Sequence, residues 1–125
     1  MSFHNHLKSA IDYIEANLDD IDFDVAARKA CCSTYHFQRM FSYIVGVPLA
    51  EYIRCRRMTL AAFELQGSNI KVVDLAVKYG YDSQSSFTRA FQAFHGLTPS
   101  SARDIGTVIK VYPRVSFQIL MKDQL

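Results

Sequence analysis

A chain of 125 residues, half of them hydrophobic, is long enough to bury one sizeable core or two small ones without help from disulfides. Its three cysteines, Cys31, Cys32 and Cys55, are odd in number and lack a C-x-x-C spacing, which excludes a disulfide framework and a zinc ribbon and fits a reducing cytosol. The formal net charge of +2 is too small to name a partner, but its distribution is uneven: Asp12, Glu15, Asp19, Asp20, Asp22 and Asp24 load the first segment with acid, whereas Arg28, Lys29, Arg39, Arg54, Arg56 and Arg57 meet only Glu51 in the next.

The amino terminus carries no charged-then-apolar leader, and no apolar run is long enough to span a bilayer, so a cytoplasmic chain with no membrane partner is expected. Leu7, Ile11, Ile14 and Leu18 recur at helical spacing and predict an amphipathic helix over 4–18. Asp22 offers a cap to a short helix over 23–30, and Ser33 offers one to a third over 34–45. In that third helix Phe37, Met40, Phe41 and Ile44 share one face, with Tyr35, Gln38, Arg39 and Ser42 opposite. Gly46 can take the left-handed conformation that closes the helix, and Pro48 keeps it from resuming.

A long helix over 49–66 follows, with Ile53, Leu60 and Phe63 in its apolar stripe and Arg54, Arg56 and Arg57 in its first half. The run QGSN ends it. Ile70, Val73, Leu75, Ala76 and Val77 then predict a fifth helix, Gly80 a turn, Ser83 the cap of a sixth, and GLTP a second stop. Beyond Arg103, VIKVYPRVSFQILMK is rich in β-branched and aromatic residues and reads as strand, with no partner strand in sight to complete its backbone hydrogen bonds.

The third and sixth helices are near copies. Adding fifty to a residue number takes Ser33 to Ser83, Phe37 to Phe87, Arg39 to Arg89, Phe41 to Phe91 and Gly46 to Gly96. The expected fold is therefore all-α: two helix-turn-helix subdomains joined by a long connecting helix, with a short strand-like tail. The boundaries are 1–47, 48–67, 68–105 and 106–125.

The second unit, AVKYGYDSQSSFTRAFQAFHGLTPSSAR, resembles the most diagnostic segment of the AraC/XylS family of bacterial transcription regulators. STYHFQRMF with EYIRCRRMTLAA is most similar to the family's small multidrug- and superoxide-resistance branch. Four positions depart from the pattern: Cys31 in place of a turn glycine, Ala102 in place of an aromatic, and Gln92 and Ala93 where many members are basic. The resemblance implies double-stranded DNA as a partner, RNA polymerase as a further one, and no cofactor. IKVYPRVSFQILMK also resembles the run into the GyrI-like domain that follows in some members. That likeness implies a longer natural chain and a small-molecule effector bound by a domain outside this one.

An α-helix fits the major groove, where each base pair shows a distinct donor and acceptor pattern. Arg39 can pair with guanine O6 and N7, Gln38 with adenine N6 and N7, and Tyr35 with a thymine methyl or a phosphate. By resemblance, Gln84, Ser85, Thr88 and Arg89 read the second groove. Arg54 and Arg56 are candidate phosphate contacts, and Arg57 is a structural one. A connecting helix of roughly eighteen residues is on the order of 27 Å long, against about 34 Å between successive major grooves on one DNA face. Duplication thus lets one chain do what a simple helix-turn-helix protein does by dimerising.

His4, His6, His36 and His95 lack metal-ligand spacing and read as solvated or packing residues. Cys31 and Cys32 read as small buried residues at a turn rather than an activated thiol, and no enzyme is expected. The competing function is a helical protein-interaction module that contacts RNA polymerase or another partner without reading DNA.

Overall fold

The computed structural model describes residues 3–116. Among them are α1 (Phe3–Ala16), α2 (Phe23–Lys29), α3 (Thr34–Val45), α4 (Leu49–Gly67), α5 (Val72–Lys78), α6 (Gln84–His95) and α7 (Pro99–Ala102), and no strand. They form two compact units, of which the second is Arg54–Tyr112 and the first takes in the described residues on either side of it.

In the first unit α1 packs on α2, and α2 on α3. Leu7, Ile11, Ile14 and Leu18 are buried as their spacing requires, and Phe37, Phe41, Leu49 and Tyr52 join them. Caps set the boundaries. Asp22 accepts from the Asp24 and Val25 amides at 3.0 and 3.3 Å, and Ser33 accepts from the His36 amide at 3.2 Å. Gly46 closes α3 at φ 90°, a left-handed backbone that costs glycine little. The Thr34 hydroxyl donates to Asp24 at 2.7 Å and ties the start of α3 to α2.

In the second unit Met58, Ala61, Ala62 and Leu65 of α4 share a core with Leu75, Phe87 and Phe91. Ser83 and Ser86 cap α6 reciprocally, each side chain accepting from the other's amide. Glu64 accepts from Lys78 and from the Tyr79 hydroxyl, both at 2.6 Å, which fixes α5 to α4. The four-residue α7 was not anticipated. Thr98 caps it by accepting from the Ser101 amide, and it is the counterpart of the first turn of α4: Ala102 donates to the Thr98 carbonyl as Tyr52 does to that of Pro48.

Several expectations are corrected. Phe63, assigned to the apolar stripe of α4, is 46% exposed, and Val77 on α5 is 71% exposed. Ile53 is buried and Leu60 packs on the core as expected, and the buried row of α4 in the second unit runs through Cys55, Met58, Ala62 and Leu65. Cys31 is exposed and Cys32 half-buried, so the pair is not a buried one. Cys31 does occupy the glycine-like turn position, at φ 61° against 80° at Gly80.

The tail is not a strand over residues 108–116; the rest of the segment read as strand lies outside the described residues. Side chains supply the partners that a ladder would have supplied. In the second unit Gln66 donates to the carbonyls of Asp104 and Thr107, the Lys110 amide donates to His95, and the Tyr112 amide donates to Thr59 at 2.9 Å. Arg56 donates to the Tyr112 carbonyl at 2.7 Å. Residues 104–112 thus form a strap along α4, with Ile109 and Tyr112 packed on the core. In the first unit the Val115 amide donates to the Tyr52 hydroxyl, which itself donates to Glu15 at 2.6 Å. No helix of the described residues is long and apolar enough to cross a membrane.

Candidate nucleic-acid interface

The first candidate surface is the outer side of α3. With Phe37 and Phe41 turned inward, helical geometry leaves Tyr35, Gln38 and Arg39 exposed. Arg39 is held before any ligand arrives: its guanidinium lies 5.5 Å from the Tyr35 ring centroid, and Nη1 donates to the Tyr35 hydroxyl at 2.7 Å. The ring gives the guanidinium a flat partner and the hydroxyl fixes its direction. Tyr43 continues this row at the same four-residue step and is 90% exposed. Sequence reading overlooked Tyr43, although its spacing from Tyr35 and Arg39 was legible.

The second candidate surface, on α6, has the same frame and different chemistry. Gln84, Ser85 and Arg89 are exposed and Thr88 is half-buried, while Phe87, Phe91 and Phe94 face the core. Adding fifty takes Tyr35 to Ser85 and Tyr43 to Ala93. Arg89 therefore has no aromatic shelf at the position equivalent to Tyr35.

Arg54 and Arg56 belong to the second unit and are half-buried. Arg56 is engaged by the strap, as described. Burial pushes the Tyr81 hydroxyl up, and the charges of Arg57 and Arg54 oppose that shift, so both arginines lie near the turn before α6. Burial, and then the neighbouring Cys31, push the Cys32 thiol up, which disfavours the reactive thiolate. No group of acidic, histidine or cysteine side chains that could hold a metal is present among the described residues.

Residues 26–105 match the family model described as a helix-turn-helix domain. Over 92 residues the chain is 47% identical to the HTH-type transcriptional activator AarP of Providencia stuartii, covering 73% of this chain and 68% of that protein. Over 104 residues it is 38% identical to the regulatory protein SoxS of Salmonella typhimurium, covering 82% and 97%. The chain belongs to the AraC/XylS family.

Solved structures of AraC-type domains share the fold. The DNA-binding domain of AdpA, in complex with a target DNA, has a TM-score of 0.69 at 22% identity, covering 79% of this chain and 90% of that one. An AraC-type regulator from Chromobacterium violaceum has a TM-score of 0.70 at 23% identity, covering 78% and 88%. Ala102 is fully buried, and the strap residue Tyr112 packs against the same core.

Proposed function

We propose that this AraC/XylS chain is a sequence-specific, double-stranded-DNA-binding transcription regulator that reads two adjacent major-groove segments, one with α3 and one with α6. The observation that carries it is the duplicated recognition helix, capped and closed alike at both places, with Arg39 and Arg89 exposed at the same position of the two copies. Arg39 reads guanine with its fork already oriented by Tyr35, and Gln38 reads adenine. Gln84, Ser85, Thr88 and Arg89 read the second segment. Tyr43 adds a contact to the backbone or a thymine methyl at the far end of α3. Arg54 meets phosphate, whereas the bond from Arg56 to the strap favours a structural role for that residue.

Because the two reading faces differ, the chain binds as a monomer to an asymmetric site. RNA polymerase is the second proposed partner: AarP, to which the chain is similar, is an activator, and activation requires contact with the transcription machinery. A small-molecule effector, bound by a domain outside the described residues, is the third. The setting is the bacterial cytoplasm, where such DNA is found.

Selection from random DNA followed by titration at several salt concentrations tests this reading. An asymmetric consensus and a steep loss of affinity with salt are expected. A palindrome bound only by a dimer would refute the monomeric reading. Salt-insensitive or absent binding would favour the protein-interaction module instead.

A further inference from the structure

His95 is the last residue of α6, and both of its ring nitrogens are in use. Nε2 lies 2.8 Å from the Met58 carbonyl on α4, and Nδ1 accepts the Lys110 amide of the strap at 3.2 Å. A carbonyl can only accept and an amide N–H can only donate, so these partners select one form of the ring: neutral, with its proton on Nε2. The ring is packed between Phe91 and Phe94, with centroids 4.3 and 4.7 Å away. Lys110 also places its ammonium over Phe94, 4.8 Å from the ring centroid. Three elements thus meet on one imidazole: the recognition helix, α4 and the strap.

We propose that neutral His95 is a positioning residue for the second recognition helix, and that protonating it releases the strap and loosens α6, so that reading by the second unit weakens in mild acid. This rests on α6 being a DNA reader. A proton on Nδ1 would face the Lys110 N–H, two donors with no acceptor between them, and would add a cation beside an existing one. Burial first, and the Lys110 charge with it, hold the His95 pKa below its ordinary value of 6.5, against the opposing pull of the Met58 carbonyl. The charged group acting on the ring is Lys110 of the strap; α4 presents a carbonyl and α6 two phenyl rings. The sign follows. The fold favours the neutral ring, so its contribution is complete above 6.5 and is lost as pH falls through the lowered folded value.

The test compares the unmodified chain with His95→Phe, which keeps the ring packing and removes both hydrogen bonds. The DNA is a site selected from random sequence, used intact and with the half whose preferences relax in Arg89→Ala scrambled. At about pH 7.5 His95→Phe should bind the intact site about fivefold more weakly, and the two proteins should converge as the pH is lowered through the His95 titration midpoint read by NMR. Titration of the other histidines is common to both proteins and cancels in the ratio. On the scrambled site the ratio should stay near one throughout. A ratio unchanged by pH, or persisting on the scrambled site, would overturn the proposal.

Nitrogen NMR of the unmodified chain gives an answer even where His95→Phe fails to fold. It should show the Nε2-protonated ring at neutral pH, with the Lys110 amide titrating at the same midpoint. A Nδ1-protonated or charged ring, or a Lys110 amide blind to the titration, would refute the latch. If scrambling that half-site costs the unmodified chain nothing, α6 is not a reader and the proposed function fails instead; the NMR result still decides whether the latch exists.

Discussion

Deleting everything after Arg103 is the most informative perturbation, because the sequence and the structure disagree about it. Read as an unpaired strand, the tail could be removed with DNA affinity nearly unchanged. The structure makes residues 104–112 part of the second unit. Thr59 is 0% exposed, and its hydroxyl donates to the Cys55 carbonyl at 2.9 Å while accepting from the Tyr112 amide. Half-burial of Ile109 and Tyr112 contributes on the order of 1 kcal/mol each. The strap's hydrogen bonds to Thr59, Arg56, His95 and Gln66 contribute about 0.5–1 kcal/mol apiece. Together these amount to on the order of 4–6 kcal/mol, a large share of the roughly 5–15 kcal/mol that holds a domain folded. Urea titration followed by circular dichroism should show this loss for the chain stopped after Arg103, with a matching loss of DNA binding. A chain stopped after Ser116 keeps the strap and should retain most of its stability. Thr59→Val, which keeps the shape and removes the acceptor, should cost about 1 kcal/mol. A chain stopped after Arg103 within about 0.5 kcal/mol of full stability would refute the reasoning, as would an equal loss on stopping after Ser116.

Losing Arg39 should cost about 1–3 kcal/mol and relax the preference at one base pair, whereas losing Arg54, the proposed phosphate contact, should weaken all sequences alike; sequence-blind effects from both would make Arg39 a phosphate contact too. Arg89→Ala should cost less than Arg39→Ala, because Ser85 offers no ring to orient the guanidinium and Gln92 and Ala93 add no charge; a quantitative titration in the reverse order would disprove this. Tyr35→Phe keeps the ring beneath Arg39 and removes the 2.7 Å bond to its hydroxyl, so it should lose about twofold to fivefold in affinity, read in the same titration. Cys31→Gly should raise stability by about 0.5–1 kcal/mol, since a glycine holds φ 61° without the clash a Cβ brings; an unchanged unfolding midpoint would show that the turn carries no strain.

The helices, their caps and the two exposed polar faces were legible in the chain because each depends on residues within a turn or two of one another. Ser33 and Ser83 cap, Gly46 and Gly96 close, and the inward phenylalanines leave Arg39 and Arg89 outside; these are facts of helical spacing, and the fifty-residue repeat makes each copy a check on the other. Only the tertiary structure decided what depends on distant residues. The composition of the tail says strand, but a strand needs a neighbour's backbone, and here side chains of Arg56, Thr59, Gln66 and His95 satisfy it instead. Thr59 looks like an ordinary polar residue in a helix until Tyr112 arrives to use its hydroxyl. His95 looks like a packing histidine until α4 and the strap close on its two nitrogens. Phe63 and Val77 are apolar at helical spacing yet exposed, because spacing names the members of a face and only packing chooses which face is covered.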